Sequence, residues 1–189
     1  MPRVSALPAE RVSRVKRALY RMSRRKFGEV LQPMQVWAHH GGVFWTSMLG
    51  ELGNARMRAV LPVEVKDLVV HRVSVLIGCP WCIDFGAMES LHAGLTPERV
   101  MAVPDYADSP LFTAAEKAAM AYADAMTAQP PRVTDEQVAA LRRTWGDAGL
   151  VELTYHVAVE NQRSRFNHAL GITAQGFTDQ EVCALPPVR

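Results

Sequence analysis

One long apolar segment constrains the fold of this chain more than any other feature. It begins with Leu61-Pro62 and continues from Val63 to about Gly78. Its many valines are also common in strands, but strands of this length are rare, so the length predicts a buried helix. Proline suits the first turn of such a helix. Pro80 then restarts the chain, which predicts a second helix directly after the first.

Helical signals also dominate the rest of the sequence. An amphipathic pattern follows Pro8, with apolar side chains on one side and Arg or Lys on the other. Two capping-box patterns, Thr113–Glu116 and Thr134–Gln137, each mark a helix start. Further helices are predicted over residues 34–49, 80–92, from 96–97 onward, and from 147 to about 170. No alternating strand of useful length is found. The prediction is an all-α fold of seven or eight helices, with a CxxC motif at a helix N-terminus.

Charge is distributed unevenly along the chain. Residues 1–30 carry nine Lys or Arg against two Glu, whereas residues 31–189 carry 12 basic and 17 acidic residues. A basic arm of this kind can contact nucleic acid, an anionic membrane or an acidic partner. No nucleic-acid signature accompanies it, so a solvated helix packed on an acidic surface is favoured. We predict a basic helical arm over residues 1–30 and a single domain over residues 31–189.

Composition and cysteine usage indicate a reducing compartment. The chain has 189 residues, of which 49% are apolar and 21% charged, as is usual for a globular protein. No run approaches the roughly 18 apolar residues of a membrane span, and the first 30 residues lack the apolar core of a secretory signal. The cysteine count is three, and an odd number argues against a secreted disulfide scaffold. The predicted location is the cytoplasm.

Two of the cysteines form the motif Cys79-Pro80-Trp81-Cys82. Zinc binding, a structural role and redox chemistry are all open to such a pair. A structural zinc site needs four ligands, and the sequence has no second CxxC or HxxxH pair, so no metal and no cofactor is predicted. Pro80 at the first helical position makes Cys79 the N-cap. Backbone N–H groups are then expected to face the Cys82 sulfur and lower its pKa, which favours redox chemistry.

The stretch from Leu61 to Leu95 reads LPVEVKDLVVHRVSVLIGCPWCIDFGAMESLHAGL. It closely resembles the core of the AhpD-like, carboxymuconolactone decarboxylase family, in which Leu-Pro, a helix, CxxC and a helix ending in Ala-Gly-Leu follow one another. The segments from Thr113 and from Glu160 to Gly171 resemble the longer, peroxidase-related members. The resemblance covers roughly residues 33–177. It implies an all-α fold and a homo-oligomer, whether dimer, trimer or hexamer.

The resemblance also implies roles for particular residues. In family members with peroxidase activity, the second cysteine forms the sulfenic acid, and the first is the proton donor and resolving thiol. These positions are Cys82 and Cys79. The glutamate of the family's proton relay corresponds to Asp67, a shorter carboxylate. The two histidines of the relay correspond to Trp81 and Gly86, so this sequence keeps both thiols and has neither imidazole.

Another histidine precedes the motif. Asp67, His71, Ser74 and Gly78 share one face of the helix that leads to the CxxC. We hypothesise that Asp67 and His71 form a carboxylate–imidazole pair that takes the thiol proton, directly or through water. The alternative is that His71 is a core histidine with satisfied hydrogen bonds and that Asp67 is a solvated helix-start acid, which the helix dipole favours.

Three functions follow from these residues. The first is a peroxiredoxin-like thiol oxidoreductase that reduces a hydroperoxide through Cys82 and Cys79 and is regenerated by a dithiol reductant. The second is a redox-sensing member that uses the disulfide as a switch, which the missing histidines favour. The third is a decarboxylase of the carboxymuconolactone type. Such members do not need the CxxC, so the cysteine pair counts against it.

Several other polar residues were considered as site candidates. Asp84 could cap its helix or raise the pKa of the neighbouring thiol. Glu152, His156 and Glu160 share a helix face without the spacing of a di-iron site, so a polar ladder is favoured. No functional role is predicted for five further residues: His39, His40, Arg163, Arg165 and Cys183.

Overall fold

The computed structural model describes residues 2–178, and all regular structure in that range is helical. Eight α-helices follow one another: α1 (Arg14–Phe27), α2 (Gln32–Trp37), α3 (Gly41–Arg56), α4 (Val63–Ile77), α5 (Pro80–His92), α6 (Pro97–Met101), α7 (Ala114–Thr127) and α8 (Asp135–Ala169). The all-α fold is confirmed, and the CxxC lies at the start of α5, as predicted. Within residues 2–178 no helix combines the length and apolar character needed to cross a bilayer.

The chain divides into two compact units. The first contains the described residues up to Arg58 together with Leu170–Ile172, and the second contains Ala59–Ala169 and the described residues from Thr173 onward. Helices α1 to α3 belong to the first unit, and α4 to α8 belong to the second. The basic arm over residues 1–30 and the single domain over residues 31–189 stay predictions.

In the first unit, the single helix predicted over residues 34–49 is wrong. The chain forms two helices there, because α2 ends at Trp37 and α3 begins at Gly41 and continues to Arg56. The cause is a local cap: the His40 side chain accepts a hydrogen bond from the Val43 N–H at 3.2 Å and so starts a new helix.

Each unit has its own apolar core, and the core of the first unit includes Tyr20, Met34 and Phe44.

Helix α4 is the centre of the second unit, where it packs against α5, α7 and α8. Its apolar side chains, such as Val69 and Val73, are fully buried beside Ile83 of α5, Met120 of α7 and Leu153 of α8. Full burial of an aliphatic side chain of this kind stabilises the fold by roughly 1.5–3 kcal/mol. The prediction that this Val-rich segment forms a buried helix is therefore confirmed.

Two glycines set the helix ends that matter for the site. Gly78 ends α4 in the left-handed conformation, with φ 70°, and its N–H donates to the carbonyl oxygens of Ser74 and Val75. This turn delivers the chain directly to Cys79 and α5. Gly146, with φ 69° and ψ 179°, interrupts α8 at the point where the sequence predicted one helix to end and the next to begin.

Candidate redox site

The two cysteines of the CxxC motif form a disulfide bond. Their Cα atoms are 5.3 Å apart, and both side chains are buried, with Cys79 0% and Cys82 5% exposed. Cys79 is the N-cap of α5, and Pro80 occupies the first helical position, as the sequence predicted. A disulfide across one helical turn can accept two electrons and reopen to two thiols.

The donors around the two sulfurs differ from the prediction. The Cys82 N–H donates to Cys79 Sγ at 3.3 Å, because the side chain of an N-cap residue receives the N–H three positions on. The sequence predicted that backbone N–H groups would face the Cys82 sulfur, whereas the Cys82 N–H is directed at the Cys79 sulfur. Cys82 Sγ instead accepts a hydrogen bond from Nδ2 of Asn167, in α8, at 3.3 Å. Asn167 was not predicted as a site residue.

His71 of α4 is a buried, neutral imidazole. The residue is 1% exposed, and neither ring nitrogen has a hydrogen-bond partner among the described residues. Burial lowers its pKa from 6.5 to about 4, because the charged imidazolium is penalised in a dry environment. The ring is therefore uncharged at neutral pH.

The hypothesised hydrogen bond between Asp67 and His71 is not formed. The Asp67 carboxylate instead forms an ion pair with its neighbour Lys66 near the start of α4, with 3.1 Å between Oδ1 and Nζ. Burial nevertheless raises the pKa of Asp67, with the Lys66 charge acting in the opposite direction. Asp67 is 8% exposed, so it is not the solvated acid of the alternative interpretation either.

The His71 ring packs against the backbone of α5 at Gly86. A Cβ atom at residue 86 would lie 3.3 Å from His71 Nδ1. Gly86 follows Cys82 by one helical turn, about 5.4 Å along the axis. Residue 86 is also where the family resemblance places a histidine. His71 thus brings an imidazole from α4 to the side-chain space that Gly86 leaves open on α5.

Helix α8 presents a buried polar stripe, formed by Glu152, His156, Glu160, Ser164 and Asn167. Glu160 Oε1 accepts hydrogen bonds from the hydroxyls of Ser74 at 3.0 Å and Ser164 at 2.5 Å. Burial raises the pKa of Glu160. Glu152 Oε2 accepts the N–H groups of Val60 and Leu61 at 2.6 and 3.1 Å. The stripe is the predicted polar ladder, and it joins α8 to the start and middle of the α4 segment.

Asp84 holds a distant segment of the chain. Its buried carboxylate accepts hydrogen bonds of 2.8–3.2 Å from five donors: the N–H groups of Gln175, Gly176, Phe177 and Thr178, and the Thr178 hydroxyl. The sequence did not predict these partners, and the effect of Asp84 on the pKa of the neighbouring thiol stays a prediction. We name residues 175–178 the strap, because they cross α5 next to the CxxC.

The strap also contacts the tryptophan between the two cysteines. Trp81 Nε1 donates to Gln175 Oε1 at 2.7 Å, and the Trp81 ring stacks on Phe85 with 4.8 Å between centroids. Phe177 meets both rings edge-on. Trp81 is therefore a packed residue that covers one side of the disulfide motif.

The remaining candidates have structural partners. Arg165 Nη2 donates to the Thr127 carbonyl at the end of α7, and Arg163 lies 3.5 Å from the Glu160 carboxylate. His39 Nε2 lies 2.9 Å from the Ser5 carbonyl oxygen. In the described part of the chain, no group of three or more His, Cys, Asp or Glu could hold a metal ion. Cys183 lies outside the described residues.

Comparison with known proteins decides the family. Residues 45–125 match the carboxymuconolactone decarboxylase family. The uncharacterized protein YnjA of Escherichia coli K12 is 30% identical over 182 residues, which cover 96% of this chain and 97% of that protein. This chain belongs to the carboxymuconolactone decarboxylase family.

Two solved structures have a fold similar to that of this chain. A peroxidase-related protein with an alkylhydroperoxidase AhpD core from Ralstonia eutropha JMP134 matches with a TM-score of 0.83 at 15% identity, over 93% of each chain. The debrominase Bmp8, solved as a cysteine-to-alanine variant with 2,3,4-tribromopyrrole, matches with a TM-score of 0.77 at 18% identity, over 92% of each chain. An AhpD-like fold and a disulfide in the CxxC together fit a thiol-based redox role.

Proposed function

We propose that this protein is a thiol-dependent peroxidase that reduces organic hydroperoxides through Cys82 and Cys79. One observation carries the proposal: the buried disulfide begins the helix whose Gly86, four residues after Cys82, packs against the neutral imidazole of His71, and that ring has no hydrogen-bond partner among the described residues. A peroxidase needs a nucleophilic thiol, a resolving thiol and a group that moves a proton. The site supplies one residue for each of these tasks.

Oxidation of the reduced enzyme begins at Cys82. His71 takes the thiol proton, and the thiolate attacks one oxygen of the hydroperoxide ROOH, so that the O–O bond breaks. The alkoxide that leaves takes the proton from His71 and departs as the alcohol ROH. Cys82 is left as a sulfenic acid, and His71 returns to the neutral state that its burial favours.

Resolution uses the second cysteine. The Cys79 sulfur attacks the Cys82 sulfur, the S–O bond breaks, and the hydroxyl leaves as water with the Cys79 proton. The product is the observed disulfide. A cytoplasmic dithiol then supplies two electrons and two protons and becomes a disulfide itself. Exchange begins at Cys82, since Cys79 is 0% exposed and Cys82 is 5% exposed.

A redox switch is the second candidate, and the same burial favours it. Two nearly inaccessible sulfurs are typical of slow exchange with solvent reagents, which suits a sensor with little turnover. The two functions differ in the rate of oxidation, because only a peroxidase must react with peroxide much faster than a free thiol does. No observation favours the decarboxylase reading.

Stopped-flow detection of sulfenic acid tests the proposal. The Cys79→Ser/Cys183→Ser variant, in which Cys82 is the only thiol, is reduced and mixed with hydrogen peroxide or an organic hydroperoxide. We expect a persistent sulfenic acid, formed far faster than on free cysteine at the same pH. The matched variant Cys82→Ser/Cys183→Ser should form none at that rate. Oxidation of Cys82 at the free-cysteine rate would reject the peroxidase and leave the switch.

A further inference from the structure

The amide of Asn167 makes an unusual pair of contacts. Its Nδ2–H donates to Cys82 Sγ at 3.3 Å, while its Oδ1 has no hydrogen-bond partner among the described residues. The residue is 2% exposed, so water does not replace the missing partner from bulk solvent. Buried side-chain amides normally satisfy both ends. Stability alone does not explain this arrangement well, because the amide oxygen has no partner among the described residues and the N–H group donates to a sulfur, which is a weak acceptor.

We propose that Asn167 is the hydrogen-bond donor that stabilises the thiolate of Cys82. The inference rests on the proposed function, because it takes Cys82 as the reacting thiol. A hydrogen bond to an anion is about twice as strong as one to a neutral acceptor. The contact seen on the disulfide therefore strengthens when the reduced sulfur ionises, and the donor is already in place.

The helix N-terminus does not supply this donor. The N–H of Cys82 is directed at Cys79 Sγ, so the hydrogen bond that usually activates a cysteine at this position serves the other sulfur. Asn167 donates to the Cys82 sulfur from α8. The two sulfurs thus have separate donors, one from the backbone of α5 and one from the side chain of α8.

Ionisable groups on the helices packed around the CxxC must be considered in any pH titration. On α4 these include His71, which is neutral, and on α5 there are the Cys79 thiol and the strap-bound carboxylate of Asp84. On α8 they are Glu160 and His168, the latter bonded to the Gly78 carbonyl. Replacing Asn167 with Leu leaves all of these groups in the chain. A difference in the pKa of the Cys82 thiol between the parent and this variant is therefore due to the amide.

The test is the pH dependence of Cys82 alkylation by iodoacetamide, in the Cys79→Ser/Cys183→Ser background. Asn167→Leu removes the donor at similar volume, and Asn167→Asp keeps the shape but replaces the donor with an acceptor. We expect each to raise the thiol pKa by about one unit, which is about a tenfold lower alkylation rate at pH 7. Asn161→Leu is the matched control on α8, since the hydrogen bonds of that amide go to Thr127, Val157 and Arg165 and not to a cysteine.

Asn167→Leu is the decisive variant, because it removes the donor without adding a charge. If Asn167 only fills space, Asn167→Leu reacts within twofold of the parent, and that result overturns the proposal. Asn167→Asp removes the donor and also adds a negative charge beside the sulfur. An Asn167→Asp rate within twofold of the parent therefore overturns the proposal as well, even where Asn167→Leu is too unstable to measure. Alkylation does not involve peroxide. A dependence on Asn167 combined with oxidation at the free-cysteine rate would therefore uphold this inference and reject the peroxidase.

Discussion

At the residue scale, His71 brings an imidazole from α4 to the place on α5 where the family resemblance puts a histidine. The sequence has glycine where the resemblance places a histidine, and the His71 ring lies 3.3 Å from the position of the absent Cβ. The ring is buried, and neither of its nitrogens has a hydrogen-bond partner within residues 2–178, so both are available to a reacting group. Two predictions follow from this placement.

Stability should fall on acidification because of His71. The unfolded chain takes up the proton near pH 6.5 and the folded chain only near pH 4, so the unfolded state binds more protons between these values. The stability contributed by the neutral ring is then present above pH 6.5 and lost as the pH falls towards 4. Urea unfolding at pH 7 and pH 5 should show that His71→Leu removes about 2 kcal/mol of the pH dependence.

A matched control accompanies this titration. His92→Leu replaces an exposed histidine and should leave the pH dependence unchanged. Equal pH dependence in wild type and His71→Leu would contradict a buried, neutral His71.

Placing the imidazole at residue 86 of α5 instead of residue 71 of α4 tests its role in the reaction. His71→Ala should slow Cys82 oxidation at pH 7 by about 100-fold, the lower range for a lost general base. The double variant His71→Ala/Gly86→His should recover part of the rate, since the space opened at residue 71 accepts the new ring. Gly86→His alone should be less stable than wild type, because its Cβ would lie 3.3 Å from His71 Nδ1 and the His71 ring would have to shift. A wild-type oxidation rate in His71→Ala would exclude the imidazole from the mechanism.

Some residue roles could be predicted from the sequence and others could not. Cys79 as N-cap and Pro80 at the first helical position follow from local rules that act within four residues. The partner of Cys82 is Asn167, 85 residues away, and no local rule links the two. The available signal was the polar stripe of α8, which shares one helix face from Glu152 to Asn167.

At the element scale, one carboxylate of α5 accepts most of the hydrogen bonds between the strap and that helix. Five donors from residues 175–178 converge on the Asp84 carboxylate, and the strap in turn packs on Trp81 between the two cysteines. The sequence predicted an acid near the CxxC but not its partners, because the strap is more than 90 residues further along the chain. Helix starts were more predictable, as the Thr113 capping box of α7 shows.

Replacing Asp84 should release the strap. Asp84→Asn keeps the shape, but its amide NH₂ faces donors and cannot accept their hydrogen bonds, so part of the set is lost. We expect the amide protons of residues 175–178 to exchange with deuterium at least about tenfold faster. Hydrogen–deuterium exchange measures this directly. Asp147→Asn, at an exposed ion pair with Arg142, is the control and should not alter strap exchange. Unchanged protection in Asp84→Asn would show that other contacts hold the strap.

At the scale of the whole molecule, the all-α fold could be predicted because the helical periodicity and the glycines that end helices are both recognisable in the sequence. Gly78 and Gly146 end helices where the pattern also ends. The one misjudged region, residues 34–49, failed because a histidine cap competed with a continuous apolar pattern. The homo-oligomer implied by the family resemblance stays a prediction, which light scattering on the purified protein can decide.

A redox protein must stay folded in both states, and this chain should. The disulfide closes a loop of only four residues, so its removal frees little chain entropy, about 2 kcal/mol in the loop-closure model. For a protein of this size the midpoint of thermal unfolding should fall by about 4–8 °C on reduction. Scanning calorimetry with and without a reductant measures the shift. Cys79→Ser/Cys82→Ser should match the reduced protein, and unfolding on reduction at room temperature would contradict a redox cycle.

The central claim is that Cys79 and Cys82 are a working redox pair that hydroperoxides oxidise. The most direct test mixes fully reduced wild-type protein with one equivalent of an organic hydroperoxide and follows thiol loss, peroxide consumption and intact mass together. The account predicts that each chain consumes one peroxide, loses two thiols and two hydrogen atoms, and yields one alcohol, faster than free cysteine at the same pH. Retention of both thiols while free cysteine is oxidised under the same conditions would contradict it.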